Sequence, residues 1–387
     1  MSVDLSTVRP QSVEELAAFV KLAAASGRTL RPRGGDTKSA FGNLAPEPDH
    51  VIDMGSLSAV IDYSQVDLTI AVQPGMTLKA LDELLAEKRQ RLVLDAPNRE
   101  RATIGGLFAA GLSGPRRLKY GALKDFVIGA EVVTSAGEVA KSGGMVVKNV
   151  SGYEMARLHY GAHGAFGIVT RLNLRVQPLP EARVELQAAY RAAAPCLEAA
   201  RALLTSNLDP AGVYATSGHE GSWTLHAQLE GSRASVAGQV DKVRQAVLMA
   251  AATDEVGSSD LEGASTPEFD RVIDLTGPDD TLVARLSVPA SKQVEAIESL
   301  AGLDGASLLA DAGSGLIYVR CPASADAVQT ILAATPATTF LKLPDALKDG
   351  LDVFGPMDQG AAAVLRRVKQ QFDPQGMFSA GRFALHL

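Results

Sequence analysis

The sequence predicts an α+β protein in two parts: a first half built from many short strands, and a second half that repeats one βαββα unit. Three observations carry this expectation. At 387 residues the chain exceeds what one ordinary hydrophobic core serves. Glycine-rich segments at 34–35, 105–106 and 161–167 adjoin strands or short apolar runs. From Arg183 onward Ala-rich helices alternate with strands, and the alternation occurs twice.

Ser12 and Glu15 have capping-box spacing ahead of an apolar-periodic run, and Gly27 stands where a C-terminal cap would fall, so residues 12–26 read as a helix. A strand over Arg28–Arg33 then runs into Gly34-Gly35-Asp36-Thr37-Lys38-Ser39. Strands are expected at His50–Met54, Ala59–Tyr63 and Asp67–Gln73; Pro74-Gly75 ends the last, and Thr77 caps a helix through Glu87. Asp95–Gly121, rich in Pro and Gly around the apolar piece Ile104–Ala110, reads as a loop-rich segment. Phe126–Thr134 and Glu138–Ser142 flank Ser135-Ala136-Gly137 as a hairpin, and Gly167–Val176 is a strand that stops before Pro178.

In the second half, strand Val184–Tyr190, helix Pro195–Ser206, strands Gly212–Thr216 and Trp223–Leu229 and helix Ala234–Ala251 make one unit. Thr281–Val288, Ser291–Leu300, Ala306–Ala310, Leu316–Cys321 and Ser324–Ala334 make the other. Such units pack as an antiparallel sheet with helices on one face. The polar, glycine-rich stretch 253–266 reads as a mobile connection. A last helix runs through Phe372 into Asp373-Pro374-Gln375-Gly376-Met377-Phe378-Ser379-Ala380-Gly381-Arg382.

The composition, 46% hydrophobic and 21% charged with no apolar run near the roughly 20 residues of a membrane helix, is that of a soluble enzyme. A net charge of −7 offers no footprint for nucleic acid, and Cys196 and Cys321 are too few for a disulfide framework or metal cluster. Without a secretory pattern at the N-terminus, the expected compartment is the cytoplasm.

Phosphate must therefore be held by local geometry. Gly34 to Ser39 offer backbone N–H groups, two hydroxyls and a cation in one tight loop, which suits a diphosphate, yet the loop has neither P-loop nor G-x-G-x-x-G spacing. Thr103-Ile104-Gly105-Gly106, continuing to Ser113-Gly114 and Arg116, lets a flat ring or sugar chain lie against the backbone. Gly161, Gly164 and Gly167 lead into the next strand. Singly each is an ordinary loop; three in this order are a pattern.

RPRGGDTKS, TIGG-x2-AAGLSG, VVKNVSGYE-x2-RL-x-YGAHGAFGIVT and the tail FDPQGMFSAGR resemble the FAD-binding (PCMH-type) domain of the vanillyl-alcohol-oxidase class of flavoproteins. The resemblance covers residues 10–180 and the tail. It implies a two-part FAD-binding domain over 1–180, a small antiparallel-sheet cap over 181–350, and a segment 351–387 returning to the first domain. Within the class, KNVSGYE and the short length are most similar to the smaller FAD-binding subunits of bacterial glycolate oxidases, which work beside a larger FAD-binding subunit and an Fe-S subunit. The resemblance also implies that this chain meets a membrane only indirectly, through those partners.

The same resemblance implies that Arg33 to Ser39 and Ser113-Gly114 line the pyrophosphate, with Pro32 and Arg116 also among the cofactor-binding residues. It further implies that Pro74-Gly75 and Gly105-Gly106 approach the flavin and its linker and that Ile168 borders the adenosine, with Thr103, Gly164 and Gly167 also cofactor-binding. Asp36 stands where covalently flavinylated relatives carry histidine, so FAD is expected to be non-covalent. The cap motif similar to His-x-Gly-Asp-Gly-Asn-x-His, which in related 2-hydroxy-acid dehydrogenases binds metal and substrate, does not occur in this sequence.

Oxidising a 2-hydroxy acid needs a base for the hydroxyl proton and a cation for the carboxylate. His159 and His163 come closest to a base by position, although Gly161 and Gly164 argue against one helical metal-binding face and no metal is expected. Lys148 and Arg382 are candidate cations beside the flavin, with a solvated cation or salt bridge as the plain alternative. His219-Glu220 and Trp223-x2-His226 read more readily as a surface turn of the cap. Two functions follow: an FAD-bearing subunit that oxidises glycolate or another 2-hydroxy acid, or a non-catalytic FAD-binding relay. A stand-alone flavin oxidoreductase of another alcohol is the third.

Overall fold

The computed structural model describes residues 6–145, 154–250, 256–261 and 266–387. Strands β1 (Ser6–Val8), β2 (Leu30–Arg33) and β3 (His50–Asp53) form a parallel sheet in the order β1-β3-β2. The Val13–Ala25 helix makes the crossover. Its Ser12 Oγ accepts from Glu15 N at 3.1 Å while a Glu15 oxygen accepts from Gln11 N. Leu16, Val20 and Ala23, one stripe at helical spacing, are buried against Leu30, Ile52 and the tail residue Phe378.

A second sheet takes β4 (Val60–Ser64), β5 (Thr69–Val72), β7 (Val127–Val133), β8 (Val139–Gly143) and β9 (Ile168–Arg175) in the antiparallel order β4-β5-β9-β7-β8. Two-residue strands β6 (Gln90–Arg91) and β10 (Gln177–Pro178) pair separately. Thr77 caps the Leu78–Glu87 helix as expected, its hydroxyl accepting from Ala80 N. The Ile104–Ala110 stretch, expected to be loop, is a helix. Thr103 Oγ1 accepts from Gly106 N at 3.2 Å and Gly111, at φ 66°, ends the element.

Each repeated unit carries one strand more than the sequence suggests. The first has β11 (Ala182–Tyr190), β12 (Gly212–Ser217), β13 (Trp223–Gly231) and β14 (Val256–Asp260) in the order β14-β11-β13-β12. The second has β15 (Thr281–Ser287), β16 (Ser307–Asp311), β17 (Leu316–Pro322) and β18 (Thr338–Lys342) in the mirrored order β16-β17-β15-β18. Both are βαββαβ units. β14 lies inside the stretch expected to be a mobile connection: Val-Gly-Ser-Ser-Asp has no apolar alternation, and backbone pairing with Val184–Ala188 holds it.

The units join through β12 and β16, where Tyr214, Ala215 and Thr216 oppose Asp311, Ala310 and Leu309, so eight strands form one sheet. Leu186, Ala188, Leu225 and Leu286 point to its helices. The other face turns to the first half: Tyr318 Oη donates to Ser113 O at 3.0 Å, and Arg91 reaches Glu230 at 2.7 Å. After the Gln359–Phe372 helix the tail docks on β2, with Leu30 N donating to Met377 O and Ser379 N to Leu30 O at 2.7 and 2.8 Å.

Candidate cofactor site

Two adjoining cavities, of about 230 and 80 Å³, share Pro32, Arg33, Gly34, Thr103, Gly106, Ala109 and His163 as walls. They form one bent cleft where the two small sheets meet. The larger lobe is lined by Gly34 to Ser39; the smaller adds Pro74, Gly105, Gly164, Gly167 and Ile168. Residues separated by more than 130 positions are thus brought to one place.

The loop after β2 is shaped by contacts that exclude side chains. A Cβ on Gly34 would overlap the Thr103 hydroxyl, one on Gly35 the Arg101 carbonyl, and one on Gly105 the Pro74 ring. Gly164, at φ 75°, lies against Pro32. Asp36 is left-handed at φ 58°. Among the described residues, the backbone N–H groups of Gly35, Asp36, Thr37, Lys38 and Ser39 donate to no protein acceptor. Five free donors along one wall, beside the Thr37 hydroxyl and the Lys38 ammonium, are the donor set that a diphosphate satisfies. Burial lowers the Lys38 ammonium to about 8, opposed by the charges of Asp274 and Asp270. Small and apolar walls at Gly105, Gly106, Ala109 and Ile168 suit flat rings. These residues fit FAD.

Four expected residues do not line this cleft. Gly75 sits beneath it, its N–H donating to Leu57 O at 2.8 Å. Ser113 and Gly114 pack under the cap sheet, where a Gly114 Cβ would crowd Asp95 and Phe269. Arg116 is buried; Nε meets Asp95 at 2.7 Å and NH1 lies 3.6 Å from Glu230. No local pattern announced that network, because its carboxylates lie 21 residues before Arg116 in sequence and 114 after it. Conversely, Met54, Ala109, Ala110 and Ser379 do line the cleft. The tail's parallel bridge between Leu30 and Phe378 places Ser379 there.

Of the candidate catalytic groups, Lys148 lies outside the described residues. Arg382 lines the larger lobe, and its NH2 donates to Ser39 O at 2.6 Å and Phe41 O at 2.5 Å; burial lowers its guanidinium to about 10. It tethers the phosphate loop to the tail. His159 lines the smaller lobe, and burial brings it down to about 4. His163 packs edge-on to Phe41 and Phe354, and burial, reinforced by Arg382, brings it to about 3. Both imidazoles are neutral and weakly basic. His163 is left-handed at φ 53° beyond the end of the Ala156–His159 helix, so the pair shares no helical face.

His219 and Glu220 form an exposed turn. Trp223 and His226 correct the surface reading: both are buried, and His226 bonds Thr216 at 3.0 Å, lies 3.4 Å from Glu185 and stacks on Tyr214 at 4.5 Å. Alternation along β13 turns His226 to the inner face, which a motif-level reading does not capture.

Residues 5–143 match the family model of the FAD binding domain. The chain is an FAD-binding flavoprotein. This flavoprotein is 28% identical over 378 residues to glycolate oxidase subunit GlcE of Escherichia coli (strain K12), an alignment that takes in 97% of this chain and 98% of that one. It is 35% identical over 185 residues to a D-2-hydroxyglutarate dehydrogenase of Xanthomonas citri pv. viticola and 31% over 187 residues to glycolate oxidase subunit GlcD of Bacillus subtilis. The chain covers 39% of each of those two proteins. An alkyldihydroxyacetonephosphate synthase structure superposes with a TM-score of 0.72 at 17% identity, over 96% of this chain and 76% of that one. That likeness shows the fold, the two-part FAD-binding fold with its antiparallel cap. The flavoprotein is an FAD-dependent oxidoreductase.

Proposed function

We propose that this flavoprotein is the smaller FAD-binding subunit of a glycolate oxidase complex. There it acts on the CH–OH group of a small 2-hydroxy acid beside a larger FAD-binding subunit and an Fe-S subunit. The observation that carries the reading is the near end-to-end match to glycolate oxidase subunit GlcE, cap and tail included. FAD, when bound, supplies a two-electron acceptor. Gly34 to Ser39 hold the pyrophosphate by backbone N–H groups, Thr103 and Gly105-Gly106 flank the linker, and Gly164, Gly167 and Ile168 border the adenosine. The FAD is non-covalent, since Asp36 offers no imidazole to alkylate.

A second reading, a relay subunit whose partner does the chemistry, is favoured by one specific observation. The two histidines on the cleft, held near 4 and 3 by burial, are poor acceptors for a hydroxyl proton. Anaerobic glycolate added to the FAD-loaded chain separates the two. Bleaching of the flavin band by the chain alone assigns catalysis to this subunit; bleaching only with partner subunits present assigns it the relay. Bleaching under neither condition overturns glycolate oxidation.

A further inference from the structure

Beyond the cofactor cleft, two guanidiniums with no ion-pair partner among the described residues stand between the first half and the cap. Arg117, at the start of the short Arg117–Tyr120 helix, and Arg285, on β15, are both half-buried. Neither side chain makes a hydrogen bond or ion pair among the described residues, and the Arg285 Nε is fully enclosed. Among the described residues Arg116 meets Asp95, and Arg91 and Arg183 meet Glu230, while Arg175, half-buried on β9, shares the enclosed, unbonded Nε.

Burial raises the Tyr160 and Tyr318 phenols, and the charges of Arg117 and Arg285 oppose that rise. Arg285 and Tyr318 are cross-strand partners. Tyr318 Oη is spent on the Ser113 carbonyl, whereas no described acceptor takes the Tyr160 proton. The carboxyls within electrostatic range are Asp311, on Arg117 and Tyr318, Asp125, on Tyr160, and Asp95, on Tyr318 and already paired with Arg116. Asp311 is fully buried with Oδ2 unbonded, and neither Asp311 nor Asp125 closes an ion pair with an arginine among the described residues. Two forked cations that pair with no carboxylate, beside a phenolic donor, are costly to enclose unless an anion arrives.

The cluster adjoins the cofactor cleft. Ala110 lines the cleft, and a side chain on the next residue, Gly111, would touch the Tyr160 ring at 3.6 Å. We infer that Arg117, Arg285 and Tyr160 form a binding site for a small carboxylate, held between the cap sheet and the end of the Ile104–Ala110 helix. The inference rests on the reading of the chain as a 2-hydroxy-acid flavoprotein and deepens it. It assigns the acid's carboxylate to this chain's own side chains, whichever subunit turns over.

The test uses the FAD-loaded chain and acetate, which cannot be oxidised here, with acetamide as the uncharged control; binding is followed by the flavin difference spectrum and by calorimetry. Saturable binding of acetate but not acetamide is expected. Arg117→Gln and Arg285→Gln should each weaken it at least tenfold and Arg285→Lys less, with FAD content unchanged. Acetate that fails to bind the loaded chain, or that binds both glutamine variants as it binds the parent, overturns the carboxylate site while leaving the flavoprotein reading intact. A chain that takes up no FAD overturns that reading and this inference with it.

Discussion

Lys369 and Asp373, one helical turn apart and both buried, are paired at 2.8 Å at the point where the last helix gives way to the tail. The same Asp373 accepts from Met377 N and Phe378 N at 3.0 and 2.8 Å, and Lys369 Nζ also donates to Ala165 O and Phe378 O. One ion pair thereby fixes the tail to the segment that carries His163 and Gly164. Removing one partner leaves an uncompensated buried charge, at a cost of about 3–5 kcal/mol. Asp373→Asn and Lys369→Met should each lower stability by that order in urea titrations. Both should also shed flavin, because Ser379 and Arg382 leave the cleft with the tail.

Gly35→Ala tests the phosphate loop. The new Cβ would overlap the Arg101 carbonyl, which is backbone and cannot yield cheaply, so the loop must move and its free N–H groups with it. FAD retained through gel filtration should fall at least tenfold. Gly238→Ala, on the Arg233–Ala250 helix with no atom within 4 Å of the new Cβ, should retain FAD as the parent does.

Thr103 caps the helix that opens onto the cleft. Thr103→Ala should cost about 1 kcal/mol of stability by losing the bond to Gly106 N, while Thr103→Ser retains most of it. Thermal melting of the two variants side by side measures the difference.

Acid sensitivity is expected from Glu230. Burial alone would raise its pKa, but Arg91, Arg116 and Arg183 bring it from 4.5 down to about 2. A carboxylate whose folded pKa lies below its unfolded value contributes stability that is fully present above about 4.5 and is lost as pH falls towards 2. That contribution is roughly 3 kcal/mol, at 1.36 kcal/mol per pKa unit. Glu230→Gln should flatten the stability profile between pH 4.5 and 2, as measured by urea midpoints across that range.

Much of the first half was legible because its signals are local. Ser12 and Thr77 cap where expected, the Ser135-Ala136-Gly137 turn joins β7 to β8, and the three glycine loops fall on one cleft. The Pro267–Ile273 helix had a readable start, with Thr266 followed by Pro267 and Glu268, yet it falls between the connection 253–266 and the second repeated unit and enters neither. β14 gave no such signal, because an edge strand with one apolar residue is held by its neighbour's backbone. The Arg116–Asp95–Glu230 and Tyr214–Glu185–His226 networks arise only when sheet and first half meet, and nothing in their local sequence marks them.

Whether this chain holds FAD without a covalent bond is read from the visible absorption spectrum of the purified, FAD-reconstituted chain before and after acid precipitation. A flavin spectrum from the folded protein and release of all the flavin into the supernatant are expected. A colourless chain that takes up no FAD, or flavin that stays with the precipitated protein, would contradict that expectation.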